Sequence, residues 1–581
     1  MSDTTLLEID HKIRTLSSLI TKLNQRVETP DFTDHNHISP TLIACNHFAT
    51  LLTRGIEDGP ARTVVAVAGK LSSEVVLAVS VDAHEVLLRS AVNPFPRDQP
   101  MFRIDRIAPS PKTLRDLAMP PHYVNEDSLQ DYASHLLAAV RDLKTTQDDA
   151  LFTAFIVRSC LLRITHRLHA DLYAFKHPLD EILDGWIPHP GEFLPSKQVH
   201  VSLDSDSRTA LASILVVGKE HTYEWNINSA PIWVSFLCRL IRNAKRFAGD
   251  CYGRNDKNNK TIHSGSLALL CLTLQTLCTL LYKLPIRDLL SLFSIQLKLR
   301  VGLRDDCSAV SDEDALDMVI KPNEEIHLFA LRHLGNIVAW ESAIRYVSRS
   351  LQKSTLFRNI VLDFVVTRAV SPEICAPGEP IVNSAIEYAL KTLSMARETE
   401  DVVSMIRALK SKLLPVQFCG TIHCEASLMG MIIACKGRVP LPDNAMQKKL
   451  EAMEKLVTRT GVSTIGVGKK CCWCCSLLAQ TLQVEYDDMS FDIPASHGFI
   501  SPWILPTIGI SVPIAESMEA ALMDVWIREV VKFVQDHMKS AIPSARSARS
   551  FQGSTSDDSD HEDNQLERMA NLMKRWVSLD V

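Results

Sequence analysis

TIHCEASLMGMIIACKG (residues 421–437) and STIGVGKKCCWCCSLLAQTL (residues 463–482) are two stretches of the chain that share one pattern. In each, a short β-like run is followed by an apolar, helix-like run, and polar residues or cysteines fall at the junction. His423-Cys424-Glu425 opens the first helix, and a run of cysteines opens the second. Short strands that alternate with helices after Leu414 are typical of an α/β fold.

The residues at these two helix starts are suited to bind a zinc ion. Cys472 and Cys475 are three positions apart and point to the same side of a helix start, where the partial positive charge favours the thiolate that zinc requires. With His423 they form a set of three ligands, and catalytic zinc sites use three ligands to keep a fourth position open for water. Glu425 lies close enough to accept a proton from that water, whose pKa the metal lowers.

In these motifs the chain resembles the zinc-dependent cytidine and nucleic-acid deaminase-like superfamily, and within it a fungal branch related to predicted bacterial toxin deaminases. The resemblance covers about the last quarter of the chain and rests on four segments: His423 to Ala426, Thr464 to Lys470, Ser496-His497-Gly498, and Pro502-Trp503. It implies an α/β/α sandwich, one zinc ion, and hydrolytic removal of an exocyclic amine from a nucleobase. It also implies that His423, Cys472 and Cys475 are the zinc ligands and that Glu425 is the proton shuttle.

The choice of cysteines is left open by spacing alone, because Cys471 and Cys474 are also three positions apart. The resemblance to the fungal branch favours the later pair, Cys472 and Cys475. It implies a doubled cysteine, of which the second is the ligand. Two features depart from the superfamily. Cys471 stands where a proline is usual, and only one strand, Val416 to Ile422, is identifiable where the superfamily has a helix and two strands before the histidine.

Three other functions fit the same cysteines. The zinc could be purely structural in a catalytically inactive deaminase-like protein that binds a partner through its helical middle region. The run from Cys471 to Cys475 could also be a redox pair, or a metal-buffering module that needs no histidine.

The rest of the sequence predicts an α-rich multidomain protein. Residues 1–122 mix a helix from Ile9 to Val27 with two β-rich runs (63–67 and 75–79), and the proline-rich segment 94–121 is predicted to be a connector. Residues 123–398 have helical periodicity. The deaminase-like domain is predicted over residues 399–540, with a helix from Ser517 to about His537. Residues 541–581 are predicted to be a disordered acidic and serine-rich tail with a short terminal helix at 566–576.

Composition limits the classes of function. The chain has 581 residues, of which 46% are hydrophobic and 22% charged, and its formal net charge is −6. This balance is that of a folded protein, and the negative charge argues against non-specific coating of nucleic acid, which depends on neutralising phosphates. A nucleotide or nucleic-acid substrate is compatible with it. The N-terminus lacks the apolar segment of a secretory signal, so an intracellular location is expected.

Two further segments have simple interpretations. The uncharged run Ser264 to Tyr282 is long enough to cross a bilayer, but its polar stripe favours a buried core helix, and no membrane partner is expected. The basic stretch from Arg239 to Lys260 includes Phe247 and Tyr252 and could bind phosphates and a base, although a solvated helix end is the favoured interpretation. His327 and His333 do not share a helix face well and are not expected to bind a metal.

Overall fold

Helices make up most of the residues that the structure describes, as the spacing of the apolar residues predicts. This computed structural model describes residues 2–23, 27, 38–53, 65–70, 74–80, 102–119, 129–173, 175–189, 191–251, 262–300, 324–353, 357, 360–367, 375–395, 399–416, 418, 422–437, 462–468, 470–506 and 508–541. The tail predicted from residue 541, with its terminal helix at 566–576, therefore lies outside the described residues, apart from Ala541.

The α-helices are α1 (Ser2–Leu23), α2 (Pro40–Leu52), α3 (Leu114–Ala118), α4 (Leu129–Thr146), α5 (Asp149–Ser159), α6 (Leu161–His169), α7 (Leu179–Leu183), α8 (Ser205–Ala210), α9 (Ala230–Asp250), α10 (Ser264–Lys283), α11 (Ile286–Ser291), α12 (Ser294–Arg300), α13 (Ile326–Ile337), α14 (Ala339–Lys353), α15 (Gly378–Thr392), α16 (Glu400–Leu413), α17 (Cys424–Cys435), α18 (Trp473–Glu485) and α19 (Val512–Ala541). The strands are β1 (Val65–Lys70), β2 (Glu74–Ser80), β3 (Phe102–Ile107), β4 (Lys197–His200), β5 (Thr222–Trp225), β6 (Val361–Thr367), β7 (Val462–Val467) and β8 (Ser490–Asp492).

One six-stranded sheet joins the first hundred residues to the last quarter of the chain. Its strand order is β3-β6-β2-β1-β7-β8, and β4 with β5 forms a separate two-stranded sheet. β1 is antiparallel to β2 and to β7, and β7 is parallel to β8. On the other side of the hairpin, β6 is parallel to β2 and antiparallel to β3. The strand that leads into the cysteine motif therefore pairs with a strand near the start of the chain, with Val467 opposite Ala66.

Both faces of this sheet are covered by helices. Successive side chains of a strand point to opposite faces, and in β1 the two faces bury different clusters. Val65 and Val67 belong to a core that includes α2, whereas Ala66 and Ala68 belong to a core that includes α17 and α18. α2 and α17 both contact β1 and β7, so the histidine motif approaches the sheet from the face opposite α2.

Several predicted elements are confirmed and others are corrected. The helices at the two motifs, the strand between them and both N-terminal β-runs are present, and the last helix extends further than predicted. The connector predicted over residues 94–121 contains β3 and α3, because its prolines flank these elements and do not interrupt them. In the predicted strand from Val416 to Ile422, Val416, Phe418 and Ile422 are not in a strand, and Gln417 and residues 419–421 lie outside the described residues.

The region predicted to be helical, residues 123–398, also contributes a strand to the large sheet. β6 has the sequence VLDFVVT, a short and mostly apolar run whose periodicity does not distinguish a buried strand from a buried helix segment. Its pairing with β2 and β3 ties the middle of the chain to the sheet. The domain boundaries after residues 122, 398 and 540 stay predictions.

The apolar helix α10 lies within the helical part of the protein. It is the one helix among the described residues that is long and apolar enough to cross a membrane, by length and composition only. Half of its most apolar window is buried inside the protein, where it contacts α5, α9, α13 and α14. This packing is that of a core helix, as the polar stripe predicts.

Candidate metal centre

His423 is held at the start of α17. Its backbone is extended, with φ −66° and ψ 141°, and it takes the N-cap position of the helix. Its carbonyl accepts a hydrogen bond from the amide of Ser427 at 2.9 Å, which is the first turn of the helix. Every residue from Cys424 to Ala434 is buried, because this helix is apolar all round and is covered on all sides. The helix therefore fixes both His423 and the following Glu425 within the core.

Cys472 occupies the same position at the start of α18. Its side chain accepts a hydrogen bond from the amide of Cys475, with 3.3 Å between nitrogen and Sγ. An N-cap side chain that accepts from the third helical residue satisfies one of the unpaired amides of a helix start. The same geometry places the sulfur in the positive end of the helix dipole, which stabilises a thiolate.

The two helix starts bring three ligand atoms together. Nδ1 of His423 lies 3.2 Å from Sγ of Cys472 and 3.6 Å from Sγ of Cys475. The three atoms all lie within 4.8 Å of one another, and no other group of three such residues in the described part of the chain meets this test. Tetrahedral zinc with bonds of about 2.0 Å to nitrogen and about 2.3 Å to sulfur holds such atoms about 3.5 Å apart. The donor set and its spacing therefore fit a zinc ion.

The electrostatics of the cluster favour a thiolate at Cys472. Burial would raise the pKa of this thiol, but hydrogen bonds with Cys474 and Cys475 and the charge of His423 lower it well below its ordinary value. Burial would likewise lower the pKa of His423, but the negative charge of Cys472 raises it to about 9. In the absence of a cation, the imidazole therefore balances the thiolate, and a metal ion bound between them would take over that role.

Glu425 is a buried carboxyl beside these groups. Only 3% of it is exposed, and its Oε2 accepts a hydrogen bond from the Cys424 thiol at 3.2 Å. Burial raises its pKa; His423 lowers it, and the charge of Cys472 raises it further. A carboxyl whose pKa is raised towards neutrality can both accept and donate a proton, as general acid–base catalysis requires.

A second contact orients the imidazole. The ring of His423 makes a hydrogen bond to the backbone of Pro502. Because proline has no amide hydrogen, the acceptor is the Pro502 carbonyl and the ring is the donor. Histidines that bind metals usually have such a partner, which fixes the tautomer and the ring orientation.

The cluster in the structure contains the later pair of cysteines, Cys472 and Cys475. Cys474 is also buried, but its thiol makes a hydrogen bond with Cys472. Burial is the largest cause that raises the pKa of this thiol well above its ordinary value, and the interactions with Cys472 raise it further. Cys471 lies one residue before the helix start, in an isolated bridge to Ser496. The geometry thus brings together the residues predicted as ligands, while their role as ligands stays a prediction.

Two other residues of the predicted motif are packed near the centre. The amide of His497 donates to the carbonyl of Cys471 at 3.0 Å, and its Nδ1 accepts from the amide of Phe499 at 3.0 Å. Trp503 is fully buried in the core, and its Nε1 has no hydrogen-bond partner among the described residues. Trp503 is thus a core side chain, and His497 is buried beside the start of α18.

Two cations of the basic stretch, Arg242 and Lys245, form ion pairs within the protein. Nζ of Lys245 lies 2.9 Å from both Asp171 and Asp180, and Arg242 contacts Asp180 at 3.0 Å and Asp184 at 2.7 Å. Arg246 lies over the ring of Phe247. Tyr252, Arg254, Lys257 and Lys260 are outside the described residues. The part of the stretch that is described therefore stabilises the helical region through ion pairs.

The two histidines of α13 are core residues. His327 is buried and contacts Ser294 and Glu325. His333 is 1% exposed, and burial lowers its pKa to about 4. Neither belongs to a group of three possible metal ligands among the described residues.

Sequence patterns named Pro502 within a motif but did not show how the candidate ligands are held in place. Pro502 supports His423 through a backbone carbonyl, which leaves no mark in the identity of side chains. The polar residues Asp10, Ser17 and Thr21 of α1 contact the segment around Pro502. Their four- and seven-residue spacing is a usable signal, because it places three polar side chains on one face of the helix predicted from Ile9.

Comparison with known proteins agrees with the position of this centre. Residues 422–507 match the model of a family described as OTT_1508-like deaminase. No curated protein and no solved structure matches the chain. The match contains His423, Glu425, Cys472 and Cys475, so the resemblance to deaminases predicted from the motifs is confirmed for this region. The His/Cys/Cys cluster within it is compatible with a zinc-dependent deaminase.

Proposed function

We propose that the chain is a zinc-dependent hydrolytic deaminase that acts on a nucleobase in a nucleotide or nucleic acid. The observation that carries this proposal is the meeting of His423 Nδ1 with the sulfurs of Cys472 and Cys475 beside the buried Glu425, inside the region that matches a deaminase family. We further propose that the sheet with helices on both faces is the α/β/α sandwich of such enzymes.

Each residue of the centre has a role in this reaction. His423, Cys472 and Cys475 hold the zinc ion, which when bound supplies Lewis-acid activation of a water molecule. Glu425 accepts a proton from the attacking water and delivers it to the departing amine. Water and the amino-substituted base thereby yield the oxo-substituted base and ammonia. The raised pKa of Glu425 suits both halves of this transfer.

The thiol chemistry supports an intracellular location, which is also a proposal. None of the cysteines of the described residues is in a disulfide, and most are buried. Disulfides form in oxidising compartments, whereas thiols persist where glutathione and thioredoxin keep them reduced. Two thiol ligands at one zinc site would be retained in such a compartment.

The decisive experiment combines metal analysis with one substitution. Glu425→Gln keeps the size of the side chain and removes its acid–base function. The wild-type protein should contain one zinc ion per chain and release ammonia from cytosine or adenine, supplied as nucleosides, nucleotides or single-stranded oligonucleotides. Glu425→Gln should keep the zinc and lose at least a hundredfold in rate, the lower end of what a general acid–base group contributes.

The other outcomes separate the alternatives. A zinc-containing wild type that is inactive on every substrate, and whose cellular function the Glu425→Gln variant performs equally well, would indicate an inactive deaminase-like protein with structural zinc and a partner at its helical middle region. A His423→Ala variant that binds metal as tightly as the wild type would indicate a redox or metal-buffering cysteine run. A wild-type protein that binds no zinc would overturn the proposal.

A further inference from the structure

The segment from Ser496 to Leu505, here called the strap, runs between the metal centre and α1. Several of its residues face the centre. Ser496 bridges to Cys471, the carbonyl of Phe499 accepts from the amide of Trp473 at 2.9 Å, and the carbonyl of Pro502 accepts from the ring of His423. The strap therefore contacts both helix starts that supply ligands.

Other residues of the strap face α1. Side chains of α1 form hydrogen bonds with the backbone of the strap. Thr21 donates to the carbonyl of Ile500 at 2.8 Å, and Ser17 accepts from the amide of Trp503 at 3.0 Å. Asp10 accepts from the amide of Leu505 at 3.0 Å. The strap runs antiparallel to the helix, because later strap residues meet earlier helix residues.

The contacts of Ser17 and Asp10 are buried and that of Thr21 is partly buried, so each one constrains the strap. Ser17 is fully buried and Asp10 is 7% exposed. A buried amide or carbonyl that loses its partner costs about 1–3 kcal/mol, and the backbone shifts to recover a partner where it can. Pro502 lies between the bonds at Ile500 and Trp503, so a shift of either bond moves the carbonyl that orients His423.

α1 also holds the chain that enters α17. Nζ of Lys22 donates to the carbonyl of Leu413 at 2.7 Å and to that of Pro415 at 2.9 Å. The same helix therefore contacts the segment before His423 and the segment that supports its ring. These two sets of hydrogen bonds connect α1, near the start of the chain, with the candidate metal ligand His423.

We propose that Ser17 and Thr21 are positioning residues of the metal centre, which set the orientation of His423 by holding the strap on either side of Pro502. This inference rests on the zinc site of the proposed function. It assigns a function to a helix near the start of the chain, far before the ligands in sequence and outside the region that matches a deaminase family. Neither residue touches the ligands or the reacting atoms.

The experiment compares Thr21→Val and Ser17→Ala with Thr15→Val in the full chain. Thr15 is the matched control, because it is fully buried on the same helix and its hydroxyl donates at 2.8 Å to the carbonyl of Ala376, which is outside the strap. Thr21→Ser keeps the hydroxyl and serves as the rescue variant. The readouts are Co²⁺ affinity, measured by competition with a chelator, and the visible absorption spectrum of the Co²⁺-loaded protein.

We expect Thr21→Val and Ser17→Ala to bind Co²⁺ about three- to tenfold more weakly, at or below the lower end of the loss typical for groups that orient metal ligands. Their ligand-field bands should shift, whereas Thr15→Val and Thr21→Ser should match the wild type in affinity and spectrum. Equal affinity and spectra for all variants would overturn the positioning role and leave the metal site intact. A wild-type protein that binds no Co²⁺ and no zinc would overturn the proposed site and this inference together.

Discussion

Gly466 of β7 lies directly against Cys45 of α2. A Cβ atom built on Gly466 would be 2.4 Å from both the carbonyl carbon and the Cβ of Cys45, and 2.5 Å from the amide nitrogen of Asn46. The side chain of Asn46 then accepts a hydrogen bond from the amide of Val467 at 2.9 Å. The glycine of the motif Gly466-Val467-Gly468 is thus required for the close approach of a helix to a strand.

This contact predicts that Gly466→Ala destabilises the protein. The added methyl group meets backbone atoms that cannot move independently. The free energy of unfolding should therefore fall by about 3 kcal/mol, a loss typical of substitutions that overpack a core. Gly335→Ala is the control, because Gly335 is exposed on α13 with nothing within 4 Å of an added Cβ. That change should stabilise the helix by about 0.5–1 kcal/mol. Urea unfolding of both variants measures the difference, and equal stabilities would contradict the contact.

Single cysteine substitutions test which pair binds the metal. Because Cys472 and Cys475 face Nδ1 of His423, Cys475→Ser should reduce zinc occupancy to below about a tenth of the wild type, since a catalytic zinc site has only three protein ligands. Cys471→Ser is the control of identical chemistry and should keep one zinc per chain. Metal content is measured by mass spectrometry on purified protein. The reverse result would assign the ligands to Cys471 and Cys474.

Local signals in the sequence predicted three residues that the structure brings together at the candidate centre. His423, Cys472 and Cys475 each stand at a junction between a β-like and a helix-like run, and the chemistry of their side chains does not depend on what packs around them. The structure brings these three residues together over a sequence separation of 49 to 52 residues. Short motifs at helix starts therefore predicted the candidate ligands without any knowledge of the sheet.

The sheet itself could not be predicted, because strand pairing depends on distant partners. β1 pairs with β7 and β2 pairs with β1, although both strands lie far before the histidine in sequence. Nothing in the sequence of β7 specifies Ala66 as the neighbour of Val467. β6 was hidden for a similar reason: a buried strand is apolar on both faces and lacks the alternation that reveals a half-exposed one. The strap and its bonds to α1 involve backbone atoms, which sequence does not distinguish.

Because His333 is buried, we expect the folded protein to lose stability in acid. Burial lowers its pKa to about 4; Asp171 raises the pKa, while Lys245 and Arg332 lower it further. In the unfolded chain the imidazole binds its proton near pH 6.5, so between these values the unfolded state holds more protons and acidification favours unfolding. The contribution of His333 to the free energy of unfolding is fully present above about pH 6.5. It falls by about 2 kcal/mol when the pH is lowered to 5.

Replacement of this histidine tests the effect. In His333→Leu the free energy of unfolding should change by about 2 kcal/mol less between pH 7 and pH 5 than in the wild type, because the titrating group is gone. Urea unfolding curves at the two pH values measure both differences. Parallel pH dependences in the two proteins would show that the pKa of His333 does not change on folding.

The C-terminal region should not fold without the N-terminus of the chain. A fragment of residues 399–541 contains both motifs but leaves β7 without β1, whose Ala66 and Ala68 lie on the face that α17 covers. It also lacks α1, which packs along α19 and binds the strap. The fragment would therefore expose an unpaired strand edge and two apolar helix faces, a combination that promotes aggregation.

For this fragment we expect no cooperative urea transition, measured by circular dichroism. We also expect zinc binding at least tenfold weaker than that of the full chain, measured by chelator competition. A fragment that unfolds cooperatively and binds zinc as tightly as the full chain would mean that the six-stranded sheet is dispensable for the metal centre, and that the strands from the first hundred residues only attach the helical region to it.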